Sequence, residues 1–151
     1  RMFTARLETA GVHISMDGDF DTHEGHPWRH DENMAALDRS VAAFFRDLDA
    51  RGLSDRVLLA TSTEFGRTAE ENGSAGLDHG WANNHLLMGP VNTGRCGEHP
   101  KLAGVDEQGG GFAPTVGLDS YLATIAEGWF GVSAGEVLEG NPAPLAGVIA
   151  G

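Results

Sequence analysis

A helical repeat followed closely by an apolar run limits most strongly how this chain can fold. Between Asp31 and Arg51, apolar side chains recur three or four residues apart, as they do along one face of a helix. Asp31 is expected to cap this helix, and Gly52 to end it in a left-handed conformation. The apolar face contains Met34, Leu37, Val41, Phe44, Phe45 and Leu48. We expect a sheet to bury four of them, namely Leu37, Val41, Phe44 and Leu48.

The segments on either side of this helix have the pattern of β-strands. Ala10–Met16 alternates apolar and polar residues, and Val57–Ser62 is the nearly continuous apolar run of a strand covered on both faces. Strand, helix and strand in this order predict a right-handed βαβ unit in a parallel sheet. A further strand is expected at His85–Met88 and a second amphipathic helix over Thr115–Gly131. Residues 133–151 are expected to form an irregular tail, and the whole chain one α/β domain.

Composition excludes several classes of function. Ten Lys and Arg against 22 Asp and Glu give a net charge of −12, so a nucleic-acid backbone would be repelled and no nucleic-acid partner is expected. No apolar stretch approaches the roughly 18 to 20 residues of a membrane span. Cys96 is the only cysteine, so neither an intrachain disulfide nor a thiolate zinc cluster can form.

Side chains able to bind a cation occur in two loops, each directly after a predicted strand. The edge where parallel strands end is the usual ligand site of an open α/β sheet, so the two loops are expected to lie together. Carboxylate and imidazole groups suit Zn²⁺, Mn²⁺ or another divalent metal. Such a metal can polarise a phosphoryl oxygen and lower the pKa of a bound water, so we expect it to serve in ester hydrolysis. The first loop offers Asp17, Asp19, Asp21, His23, Glu24, His26 and, just beyond it, His30; the second offers Glu64, Arg67, Asp78 and His79.

Each of these residues also has a simpler explanation. The first two aspartates suit a solvated turn and are left out of the site, and the histidines of the first loop are compatible with an exposed loop that binds no metal. Glu64 could cap a backbone group or pair with Arg67, and residues 78–80 could form only a turn. His85 alternates with apolar neighbours, so it is expected to pack rather than to bind a metal.

Several strings of this sequence resemble the bacterial domain-of-unknown-function 1501 family. The most specific are D-T-H at residues 21–23, S-x-E-F-G-R-T at 62–68 and D-H-G-W at 78–81. That family is grouped by resemblance with the alkaline-phosphatase-like superfamily, which includes phosphatases, sulfatases and cofactor-independent phosphoglycerate mutases. The likeness extends over Phe20–His26, Leu37–Thr68, Glu71–Gly89 and Pro114–Val132.

The resemblance implies a layered α/β/α sandwich with a mostly parallel sheet and a metal-supported anion site at the strand ends. A divalent metal is implied, with Zn, Mn, Mg and Ca all open. Glu64 and Arg67 are implied as catalytic residues, the arginine holding the anion through its planar fork. Where the superfamily has an acidic-plus-histidine pair, this chain reads Glu64-Phe65. The implied metal ligands are Asp21, His23, Glu64, Asp78 and His79.

The function implied by the resemblance is hydrolysis of small-molecule phosphate or sulfate esters. The likeness is to the C-terminal half of the family, so the chain is expected to be a piece of a longer hydrolase that is periplasmic or exported. Two alternatives remain open, namely a catalytically silent metal- or anion-binding module and a purely structural or interaction domain. The oligomeric state is left open.

Overall fold

In the described part of the chain, one long helix and four two-residue strands precede two further helices. The structure is a computed structural model that describes residues 11–14, 19–105 and 109–150. Helix α1 is followed by a single 3₁₀ turn, then by the strands, and last by two further helices. In chain order the elements are α1 (His26–Ala50), the 3₁₀ turn (Ser54–Arg56), β1 (Leu59–Ala60), β2 (Gly66–Arg67), β3 (His79–Gly80), β4 (Leu87–Met88), α2 (Leu118–Gly128) and α3 (Ala134–Val137).

The four strands form two nested antiparallel pairs. Strand β1 pairs with β4, with Leu59 opposite Met88, and inside this pair β2 pairs with β3, with Arg67 opposite His79. Both described sheets are two-stranded and antiparallel, so the predicted layered α/β/α sandwich with a mostly parallel sheet is wrong. The apolar run that contains β1 pairs with a segment shortly downstream, because an antiparallel return needs no crossover helix.

The predicted βαβ unit also fails at its first strand. Of the segment Ala10–Met16, the structure describes residues 11–14, and these have no regular structure. Ala10, Ser15 and Met16 lie outside the described residues. Within the described part of the chain, α1 is therefore not flanked by two parallel strands.

Helix α1 begins earlier than its apolar pattern predicts. It starts at His26 rather than Asp31, after Gly25, which has the left-handed φ of 56°. Pro27 lies in the first turn, where the amide hydrogen that proline lacks would have no helical partner. Asp31 therefore lies inside the helix, and no side chain caps its start.

The end of α1 confirms the predicted glycine stop. Gly52 has a φ of 63° and donates its N–H to the carbonyl of Asp49 at 3.0 Å. Leu53 donates to the carbonyl of Leu48 at 2.9 Å. These two bonds are the Schellman arrangement, which satisfies carbonyls that the last helical turn leaves without partners.

The predicted burial of the α1 face is only partly correct. Leu48 is buried at 6 % exposure, but Phe44 is 39 % exposed, so its predicted burial is wrong. Leu37 and Val41 are half-buried. A helix of 25 residues is about 37 Å long, whereas a two-residue strand covers about 7 Å, so the described strands cannot cover this face.

The larger part of the described core surrounds α2. This helix lies within the predicted range, but Ala123 and Thr124 are buried while Leu118 and Leu122 are exposed. The hydroxyl of Tyr121 donates to the carbonyl of Thr61 at 2.8 Å, just after β1, and burial raises the pKa of Tyr121 to about 12. The buried apolar residues are Leu48, Val105, Tyr121, Ala123, Ala126, Ala134 and Val148.

The structure also bears on the expected absence of a membrane span. Across residues 11–14, 19–105 and 109–150, none of the helices combines the length and apolar character needed to cross a bilayer.

The two residues Leu48 and Phe44 give a direct test of how α1 packs. We expect Leu48→Ala to lower the free energy of unfolding by about 2 to 4 kcal/mol, because it leaves a cavity at a buried position. Phe44→Ala should lower it by less than Leu48→Ala does, because about two-fifths of Phe44 is already exposed to solvent. Urea denaturation of both variants makes the comparison, and a larger loss for Phe44→Ala would contradict this orientation of the helix.

Candidate metal centre

One oxygen of Asp21 is the point where the candidate site converges. Its Oδ1 accepts hydrogen bonds from His79 Nε2 at 2.9 Å and from Arg67 Nη2 at 2.7 Å, and His23 Nε2 lies 3.2 Å away. Ligand atoms of Asp21, His23 and His79 all lie within 4.8 Å of one another. In the part of the chain that the structure describes, this is the only group of three or more such residues.

The distances in this group fit a single divalent ion. Two ligands of a tetrahedral ion bound at about 2.0 to 2.1 Å lie about 3.3 Å apart. The Asp21 oxygen is already 2.9 Å from His79 Nε2 and 3.2 Å from His23 Nε2, so small outward movements would admit an ion. The ion would replace the proton on His79 Nε2. Asp21, His23 and His79 are each about half exposed, so this group could hold a metal ion that solvent reaches.

The hairpin of β2 and β3 positions His79. Its register places Arg67 opposite His79, so two of the groups that contact Asp21 lie side by side on neighbouring strands. A Cβ at Gly66 would lie 1.8 Å from the backbone oxygen of Ala82, so only glycine allows the chains to approach this closely. The glycine of the E-F-G-R string is therefore needed for the pairing.

The loop that carries Asp21 and His23 is bound to the loop before β3 by backbone hydrogen bonds. Leu77 donates to the carbonyl of Thr22 at 3.2 Å, and His26 donates to the carbonyl of Ala75 at 2.7 Å. Gly76 approaches the first loop so closely that a Cβ there would lie 2.0 Å from the carbonyl oxygen of His23. The two loops are thus joined along their backbones. This contact places the imidazole of His23 next to that of His79.

Aromatic stacking fixes the orientation of the His79 ring. Phe65 lies parallel to it, with ring centroids 3.9 Å apart and 9° between the planes. The guanidinium carbon of Arg67 lies 4.8 Å from the centre of the Phe65 ring. A ring held by a stacked neighbour loses little further freedom when it binds a metal ion.

Arg67 supports Asp21 with hydrogen bonds to the backbone around it. Its Nη1 donates to the carbonyl of Leu77 at 2.7 Å, and its Nη2 donates to the carbonyl of Phe20 at 2.7 Å as well as to Asp21. The side chain is only 15 % exposed. Three of its donor contacts are therefore used within the protein, and its expected catalytic role toward an anion stays a prediction.

Asp78 and Glu64, both predicted metal ligands, lie outside the three-residue group. Asp78 Oδ1 accepts a hydrogen bond from His23 Nδ1 at 2.9 Å, on the side of the ring away from Asp21. Carboxylates in this position orient histidine ligands in metal sites. Glu64 is exposed and makes no hydrogen bond or ion pair with another described residue, and its catalytic role stays a prediction.

The hydrogen bonds of the centre lower the pKa of both aspartates. The pKa of Asp21 lies below its usual value of 3.8, chiefly because His79 donates to it and then because Arg67 does. The pKa of Asp78 is lowered chiefly by the hydrogen bond from His23, and next by one from Asn72. Both groups are therefore held as carboxylates, the form that a metal ligand or an orienting group requires.

His26 and His30 of the first loop, and His85 of a predicted strand, have other contacts. His26 shares a hydrogen bond with the buried hydroxyl of Thr22 at 2.5 Å and stacks on His30, and burial lowers the pKa of His26. His85 donates to the carbonyl of Thr61 at 3.1 Å and lies against the ring of Tyr121. As the sequence predicted, His85 packs rather than joining the cluster.

Two residues of the centre were not predicted from the sequence to be part of the site. Phe65 is one, and the other is Asn72, whose amide contacts both loops. Asn72 precedes a glycine in the string Asn72–Gly76, and asparagine commonly bonds the backbone two residues later in such turns. That signal identifies a turn, but not the Asp78 carboxylate beside it.

A comparison with known families shows where the chain belongs. The family described as "Protein of unknown function (DUF1501)" matches residues 1–110, which is 110 of 151 residues. The chain is a member of the DUF1501 family. Neither a curated protein nor a solved structure matches this DUF1501 chain. The matched range contains all of Asp21, His23 and His79, so the candidate centre lies within the DUF1501 region.

The pKa of Asp21 in this DUF1501 chain gives a prediction with a defined sign. His79→Ala removes the principal hydrogen bond, so we expect the pKa of Asp21 to rise toward 3.8. A carboxyl group whose pKa is lowered by folding stabilises the fold when the pH is above its ordinary pKa. This stabilisation is lost as the pH falls through the lowered pKa. His79→Ala should therefore lose stability at neutral pH and little in strong acid.

A carboxyl NMR titration measures this pKa in the wild type and in the variant. His85→Ala is the matched control, since His85 contacts Thr61 and Tyr121 instead. An Asp21 pKa that responds equally to both substitutions would show that the hydrogen bond from His79 does not set it.

Proposed function

We propose that this chain is the metal-binding domain of a hydrolase that acts on phosphate or sulfate esters. The observation that supports the proposal is the half-exposed group of Asp21, His23 and His79, whose ligand atoms lie within 4.8 Å. Two imidazoles and one carboxylate are the donor set of many catalytic zinc sites, in which a fourth position stays open. Among the metals considered, Zn²⁺ and Mn²⁺ fit these donors better than Mg²⁺ or Ca²⁺, which favour oxygen ligands.

A metal ion bound here would polarise an ester oxygen and lower the pKa of a coordinated water. The protein would contribute Asp21 as a carboxylate, two oriented imidazoles and a site that a substrate can reach from solvent. Arg67 would keep Asp21 in place, because its guanidinium is directed at that carboxylate and at two nearby carbonyls.

A catalytically silent metal-binding module is the second candidate. Arg67 makes three hydrogen bonds within the protein, and Glu64 lies outside the group of Asp21, His23 and His79. Both residues implied for catalysis would then be without a direct role at the substrate. The two candidates share the metal centre and differ only in turnover, so one set of proteins can test both.

Zinc affinity tests the centre itself. We expect His79→Ala to weaken zinc binding by more than about 100-fold, because loss of a direct ligand exceeds the 10- to 100-fold effect of an outer partner. His85→Ala should leave the affinity nearly unchanged. Calorimetric titration at neutral pH, where unperturbed imidazoles can bind a metal, measures both. Equal losses would make His85 a ligand, and an unaffected His79→Ala protein would remove His79 from the site.

Turnover tests the hydrolase proposal. We expect the zinc- or manganese-loaded chain, assayed across pH with nitrophenyl phosphate and nitrophenyl sulfate, to release nitrophenol from at least one of them. His79→Ala should lose this activity and His85→Ala should keep it. Metal binding without turnover of either ester at any pH would favour the silent module. Turnover that survives in His79→Ala would point to a contaminant or to another site.

A further inference from the structure

The side-chain amide of Asn72 makes hydrogen bonds with all of its polar atoms. Its Oδ1 accepts from the backbone N–H groups of Ser74 at 2.9 Å and Gly76 at 3.0 Å. Its Nδ2 donates to the carbonyl of His23 at 3.0 Å and to Asp78 Oδ1 at 2.9 Å. Backbone N–H groups can only donate, so they fix which end of the amide faces the turn and which faces the metal centre.

This amide is the first member of a continuous chain of contacts that leads to the metal centre. Asp78 Oδ1 accepts both from Asn72 and from His23 Nδ1, each at 2.9 Å. On the other side of the same ring, His23 Nε2 lies 3.2 Å from Asp21 Oδ1. A neutral imidazole carries its proton on one nitrogen and a lone pair on the other, and a metal ion needs the lone pair.

We propose that Asn72 is a positioning residue of the metal centre, acting through Asp78 to set the tautomer of His23. Its amide holds Asp78 Oδ1 where that oxygen accepts the proton of His23 Nδ1, which leaves the Nε2 lone pair directed toward Asp21 and the ion. Its second donor bond, to the carbonyl of His23, fixes the backbone that carries the ring. The role in metal binding rests on the proposed function.

Asn72→Ser is the test variant, and Asn92→Ser is its matched control. Serine is neutral and keeps an oxygen that can accept from the turn, but it is too short to reach Asp78. Asn92 also donates its amide to a backbone carbonyl, that of Gly147 at 2.8 Å, in another part of the chain. The pair therefore separates the effect of losing the amide beside Asp78 from the general effect of replacing an asparagine that donates to a backbone carbonyl.

Two measurements on the full chain distinguish positioning from folding. We expect Asn72→Ser to weaken zinc binding by about 10-fold or more, as loss of an outer partner does, and Asn92→Ser by less than about threefold. In the metal-free proteins at pH 8, ¹⁵N NMR should show the His23 proton on Nδ1 in the wild type. In Asn72→Ser it should move toward Nε2, and in Asn92→Ser it should stay in place.

Asp78→Asn tests whether the effect passes through the carboxylate. In that background, Asn72→Ser should cause a smaller loss of zinc affinity than in the wild type, because contacts that act in series are not additive and only the bond to the His23 carbonyl is left to lose. An additive loss, an unchanged His23 tautomer, or equal losses in Asn72→Ser and Asn92→Ser would overturn the proposal.

Two further outcomes are also decided by these measurements. If the wild-type chain binds no zinc, the proposed function fails, and the metal-free tautomer of His23 alone decides whether Asn72 positions that ring. If Asn72→Ser does not fold, Asn72→Asp replaces it. Aspartate keeps both acceptor contacts with the turn but removes the donor, so an unchanged tautomer in that variant would equally overturn the proposal.

Discussion

The carboxylate of Asp21 joins segments of the chain that are far apart in sequence. Its Oδ1 accepts from Arg67 on β2 and from His79 on β3, and it lies beside His23 in its own loop. Hydrogen bonds to a charged acceptor are stronger than those between neutral groups. Without this carboxylate, the two imidazoles would have no anionic group between them, and Arg67 would lose its ion pair with Asp21. The candidate metal centre depends on that single oxygen.

Short strands suffice for this arrangement because the backbone, rather than a wide sheet, aligns the two loops. Hydrogen bonds between Thr22 and Leu77 and between His26 and Ala75 run directly from one loop to the other. Glycine at positions 66 and 76 allows contacts that any Cβ would block. The polar strings of the sequence therefore have a structural role as well as a chemical one, since they bring the ligands together without a parallel sheet.

The same residues that the family motifs single out take different tasks in the structure. Asp78 accepts a hydrogen bond from His23 Nδ1 and so orients that ring, and Arg67 donates a hydrogen bond to Asp21. Among the described residues, Asp21, His23 and His79 form the one group whose ligand atoms lie close enough together to hold an ion. The group that could hold an ion is therefore smaller than the predicted five-residue set, and hydrogen bonds from neighbouring side chains orient Asp21 and His23.

How far the sequence predicts this protein differs between its local and non-local features. The sequence predicts the helical period of α1, its end at Gly52 and the packing of His85. Each of these features depends on neighbours within a few residues or on simple alternation. Membership in the DUF1501 family was readable too, since it rests on the wording of the motifs. The start of α1 was missed because Pro27 suits both a loop and a first helical turn.

Strand direction and the distinction between ligand and support were decided only by the tertiary structure. An apolar run such as the one that contains β1 can pair in parallel or antiparallel fashion, and its partner is chosen by contacts far along the chain. Asp78 and His79 are adjacent in sequence, yet their side chains have different partners. Asp78 accepts a hydrogen bond from His23 Nδ1, whereas His79 donates one to Asp21. The sequence by itself determined which side chains could bind a metal ion, and the fold determined which of them lie close together, because backbone geometry sets the direction of each side chain.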